Sequence, residues 1–143
     1  MSSLRDSAVE LLKQQVLKPY RWGAMGPENF DCSGLACYVL GIKEKHNAQQ
    51  LADLYIEKKI DKLQAPPGSL FFYGLGPRSI DHVMIVAEHW ANGTIGLIGA
   101  RGGNASTVND DMAKAQQAAV LAVFGSYWSS SFQLCVDPFM GVS

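Results

Sequence analysis

An excess of charge of either sign is missing from this sequence: over 143 residues, 12 Lys and Arg stand against 13 Asp and Glu, a formal net charge of -1. Without a positive field nothing holds a phosphate backbone, so a nucleic-acid partner is not expected. Cysteine is scarce. Cys32, Cys37 and Cys135 are odd in number and form neither a C-x-x-C pair nor a Cys/His cluster at zinc spacing, which predicts free thiols in a reducing compartment and no metal. Long hydrophobic runs are lacking too. Met1 to Glu10 carry Arg5, Asp6 and Glu10 where a secretory signal needs ~7 to 15 apolar residues, so export by the general route is not expected. The longest uncharged stretch, Ala115 to Val136, is broken by glutamines, a glycine and serines and falls short of the ~20 apolar residues of a membrane span. Repeats, low-complexity tracts and linkers are absent, so residues 1–143 read as a single domain with no membrane partner. At 48% hydrophobic the chain has enough apolar material to fold without staples.

What is present divides into two halves. Leu4, Ala8, Leu11, Leu12 and Val16 recur at helical spacing, with Ser7 and Glu10 as a candidate capping box, and this helix must end before Pro19. Tyr20 to Pro27 is loop chemistry rich in Gly, Pro and aromatics. A second helix opens after Asp31, its expected N-cap, buries Leu35, Ala36, Val39 and Leu40, and stops near Gly41. Ala48 to Lys59 reads as a third, surface helix before the turn at Pro66-Pro67-Gly68. The period then changes. Ser69 to Tyr73, His82 to Glu88 and Thr94 to Ala100 are short apolar runs, and Asn92-Gly93 predicts a hairpin between the last two. Val120 to Tyr127 and Phe132 to Val136 add two strands, with a helix in Asn109 to Ala118 before them. Helices first and antiparallel sheet second make an α+β fold.

A cysteine at the start of a helix has partial positive charge and free N–H groups where a thiolate would form, and Cys32 has that position. Cys37, inside the same helix, and Cys135, inside a strand, have no such support and read as small buried hydrophobes. Thiol catalysis also needs a base that returns its proton to a leaving amine. His46 lies in a charged loop and His89 beside Trp90 near a hairpin end. His82 opens a strand after the turn-rich Gly74 to Asp81, where its ring would project from the rim of the sheet. Neither Cys32 nor His82 is persuasive alone; together they form a nucleophile and base.

The stretch from Tyr20 to Leu35, with Asp31-Cys32-Ser33-Gly34-Leu35 at its end, resembles the nucleophile motif of the NlpC-type cell-wall cysteine peptidases, a compact papain-like family. Pro67-Gly68-Ser69-Leu70-Phe71-Phe72 and His82-Val83-Met84-Ile85-Val86 resemble two of its strands. The resemblance implies a papain-like fold and a cysteine endopeptidase of peptidoglycan stem peptides, cutting between D-glutamate and a diamino acid, with no cofactor. Cys32 matches the nucleophile and His82 the base. Tyr20 matches a tyrosine near the oxyanion, and Asp31 and Ser33 match residues that shape substrate subsites; loop packing and helix capping are their plainer readings.

Ala24 and Ser69 depart mildly from the family pattern. Gly99 departs more, standing where the family has a third polar residue, usually His, that orients the base. Asn104 is the candidate to reach back in its place, beside Asp31 or a backbone carbonyl. Arg101 is a candidate for a substrate carboxylate, or a solvated loop residue. The same Cys/His pair would also serve an amidase between glycan and peptide, or an acyltransferase, and a lapsed site would leave a structural or peptide-binding subunit. Stand-alone domains of this kind occur in phage tails, so the expected location is a virion tail with tail proteins as partners, and otherwise the cytoplasm.

Overall fold

The computed structural model describes residues 3–142, which form four helices and a six-stranded antiparallel sheet. The first helix, α1 (Leu4–Lys13), starts one turn before the expected box: Ser3 accepts the Asp6 N–H at 3.1 Å and takes the cap, leaving Ser7 inside the helix. It buries Ala8 and Leu12. Next comes α2 (Cys32–Leu40), capped by Asp31 and closed at Gly41 in the left-handed conformation that a glycine adopts without penalty. The third helix, α3 (Ala48–Leu54), carries an Asn47/Gln50 capping box and ends sooner than expected, its continuation tightening into a short 3-10 turn.

The strands are β1 (Lys59–Ile60), β2 (Leu70–Gly74), β3 (Ile80–His89), β4 (Ile95–Arg101), β5 (Ala119–Phe124) and β6 (Phe132–Val136), in the order β1-β6-β2-β3-β4-β5, with α4 (Asp110–Gln116) before β5. The hairpin at Asn92-Gly93 joins β3 to β4 as expected, and β1, too short to announce itself, pairs with β6. Both faces of the sheet are covered. Val83, Ile85, Leu70, Phe72 and Ile98 pack with Leu12, Leu35 and Leu51 of the helices, while Met84, Val86, Phe71, Tyr73 and Leu97 form a second cluster. A strand buried on both sides reads as a continuous apolar run, which is why Val83 to Ala87 do not alternate.

One departure matters for function. The strand expected to run to Tyr127 stops at Phe124, where the Gly125 N–H bonds the Ile95 carbonyl at 2.8 Å, the Tyr127 N–H bonds the Phe124 carbonyl at 2.9 Å, and Trp128 turns left-handed at φ 46°. The reason is topological. From β5 at one edge the chain must reach β6 on the far side of β2, β3 and β4, so the segment after Phe124 crosses the sheet and carries Tyr127 and Trp128 with it.

Candidate active site

The loop before α2 folds back on itself, with bridges from Tyr20 and Met25 to Phe30 and the Asp31 N–H bonded to the Ala24 carbonyl at 2.9 Å. Asp31 then ties loop to helix: one carboxylate oxygen accepts the Gly34 N–H at 2.7 Å, the other the Gly23 N–H at 2.9 Å, and Lys45 pairs with it at 3.1 Å. Ser33 donates to the same carboxylate and accepts from Lys45. Cys32 is thereby held, half-buried, in the first turn of α2. Asp31 and Ser33 are themselves buried and do not line the cleft, so their contacts are those of a cap.

Cys32 and His82, fifty residues apart, meet in one cleft of about 280 Å³ whose walls include Tyr20, Arg101, Tyr127 and Trp128. His82 lies within β3 and is only 8% exposed, so the expectation of a ring projecting from the sheet rim is corrected: rings surround it. Trp128, Tyr73 and Tyr127 stand at centroid distances of 5.1, 5.6 and 5.9 Å. The Tyr127 hydroxyl lies 3.2 Å from His82 Nε2. Asn104 reaches the cleft wall, but its amide oxygen accepts from the Ser106 N–H and hydroxyl, so the expected orienter is occupied elsewhere. His46 and His89 hydrogen-bond backbone carbonyls away from the cleft, and Cys37 and Cys135 are buried in the core.

The model of the NlpC/P60 family matches residues 17–136, which hold the loop, Cys32, the sheet and His82. The chain belongs to the NlpC/P60 family. It is similar to the probable endopeptidase p60 of Listeria grayi, 44% identical over 77 residues, and to the murein DD-endopeptidase MepH of Escherichia coli, 37% identical over 82. Those matches cover 51% and 53% of this chain but only 14% and 30% of the relatives' lengths. The fold superimposes on RipD of Mycobacterium tuberculosis, described as a non-catalytic NlpC/p60 domain adapted to peptidoglycan binding, with a TM-score of 0.63 at 20% identity, covering 95% of this chain and 98% of that one.

Electrostatics modify the thiolate expected in this NlpC/P60 domain. Burial, then the neighbouring Asp31, push the Cys32 thiol up to about 11, against the backbone N–H groups of Val83 and Ser33 and the Lys45 charge. Burial, then Arg101, pull His82 down to about 4. A helix terminus supplies about 0.3–1 kcal/mol, rising to ~2 in the best partly buried geometries, and desolvation of an anion exceeds that. Burial in the cleft therefore favours a neutral thiol and a neutral imidazole. Alkylation of Cys32 by iodoacetamide, followed by mass spectrometry of its peptide, is expected to be slow at neutral pH and to climb toward pH 11. A rate plateau between pH 5 and 8 would instead reveal a resting ion pair.

Burial also raises the Tyr20 phenol, with Cys32 and Asp31 adding to it, so the hydroxyl keeps its proton and stays a donor in the cleft. Tyr127 and Trp128 were not legible as site residues. The available signal was an aromatic pair inside the Gly- and Ser-rich run 125–131, too polar for a strand interior.

Proposed function

We propose that this domain is a cysteine peptidase of acidic cell-wall stem peptides, with Cys32 as nucleophile and His82 as general base. The convergence of these two side chains in one cleft carries the reading. Burial favours the neutral form of both, so the proton passes from sulfur to imidazole as the thiol attacks the carbonyl. A thioester forms, His82 returns the proton to the departing amine, and water then releases the acid. The Cys32 N–H and the Tyr20 hydroxyl face the developing oxyanion. Arg101 supports an acidic substrate: it lines the cleft, makes no salt bridge among the described residues, and its buried Nε has no hydrogen-bond partner. The scissile bond of this reading is that between D-glutamate and the diamino acid. Wild-type protein is expected to release free amines from peptidoglycan or stem peptides and Cys32→Ala none; equal release by both removes the assignment. Products beginning with L-Ala freed from intact glycan would show an amidase instead.

Delivery by a phage-like tail belongs to this reading and rests on the resemblance alone; absence of the chain from every purified particle of the source would overturn it. A second reading, a domain that binds cell-wall peptides without cutting them, is favoured by one observation: β4 offers no side chain at Gly99 to hold the imidazole. It predicts stem-peptide binding by both wild type and Cys32→Ala with no amine release by either.

A further inference from the structure

A buried imidazole that moves protons needs one nitrogen committed to a fixed partner, because that partner decides which tautomer is present and leaves the other nitrogen for chemistry. The β4 strand does not supply it. Gly99 packs against Met84: a Cβ there would run into the Met84 sulfur, and Met84 is fully buried. A side chain at that point would have to displace the buried Met84 thioether.

We propose that Tyr127, carried across the sheet by the segment between β5 and β6, is the positioning residue of His82. Its hydroxyl sits 3.2 Å from Nε2, and the ring is fixed on three sides: it stacks on Trp128 at 5.1 Å with an interplanar angle of 8°, meets Tyr73 edge-on at 5.7 Å, and carries the Arg101 guanidinium 5.3 Å from its centroid. Burial keeps the phenol protonated against the opposing Arg101 charge beside it, so Tyr127 is a neutral partner; in this assignment its oxygen accepts the Nε2–H, which leaves Nδ1 as the lone pair that takes the thiol proton. A neutral hydroxyl gives the imidazolium less help than a carboxylate would, which suits a base that is charged only while the substrate is turning over.

The inference rests on the reading of Cys32 and His82 as a catalytic pair, and its test has a readout independent of turnover. In 15N spectra of wild-type protein with labelled histidine, His82 is expected as the Nε2–H tautomer. In Tyr127→Phe, which keeps the ring and removes the hydroxyl, it is expected to relax toward a mixture. With stem peptide as substrate, kcat is expected to fall about 10- to 100-fold, with KM within about twofold. A wild-type Nδ1–H tautomer, an unmoved tautomer in Tyr127→Phe, or an unchanged kcat would each overturn the assignment. If wild-type protein cuts no stem peptide, the proposed function fails, and the tautomer comparison alone decides the place of Tyr127.

Discussion

Gly34→Ala is expected to cost about 3 kcal/mol, lowering the melting temperature by about 10 °C and disabling the cleft with it. A Cβ at this position would enter the Ala24 carbonyl oxygen, and its next neighbours are the Ala24 carbonyl carbon at 2.8 Å and the Asp31 carboxylate at 2.9 Å. None of these is the loose end of a flexible side chain. The Ala24 carbonyl already accepts the Asp31 N–H, and the Asp31 carboxylate already holds the N–H groups of Gly34 and Gly23. To admit a methyl group, α2 must lift away from the loop, and Cys32 moves with it. Thermal melts of the two proteins, read together with amine release, check both halves. A variant that melts within about 2 °C of wild type would show that loop and helix are not locked together here.

His82→Gln is expected to lower kcat/KM on stem peptides by about 10³-fold, the usual contribution of a positioned general base. It should also change how the fold responds to acid. His82 titrates near 4 in the folded protein against 6.5 ordinarily, so between these values the unfolded chain takes up a proton that the folded chain refuses. The associated stability is fully present above pH 6.5 and is lost progressively as pH falls toward 4, by about 3 kcal/mol in all. The Cys32 and Tyr127 groups that share the cleft with His82 hold their protons throughout this window. Melting temperatures measured at pH 7.5 and pH 4 should therefore drop about 10 °C further in wild type than in His82→Gln. Equal drops would mean that the ring is solvated in solution.

Among the elements, those that could be read directly were those with local causes. Asp31 before Cys32, with the Gly34 N–H three residues on, encodes a cap and so a helix start with the thiol in its first turn. Asn92-Gly93 encodes its hairpin, and Phe132 to Val136 its strand. Cys32 and His82 could be nominated only as a pair, one at a capped helix start and the other opening an apolar strand, since neither local pattern is persuasive alone. Boundaries set by competition were harder to read. Ser3 and Ser7 both qualify as caps, and α1 starts at the one that lets Ala8 and Leu12 reach the core.

The site's remaining properties belong to the tertiary structure. Tyr127 lies 45 residues from His82, and its hydroxyl reaches Nε2 only because β5 and β6 fall on opposite sides of β3 and the chain must cross between them. Strand order is a long-range pairing outcome that no local pattern encodes. The protonation states follow the same rule. A helix terminus is visible in sequence and favours the thiolate, whereas desolvation sums over Tyr20, Tyr127, Trp128 and every other group that closes the cleft, and here the sum prevails. Sequence alone determined which two side chains form the candidate pair; the crossing of the chain over the sheet decided what holds the imidazole and in which charge state it rests.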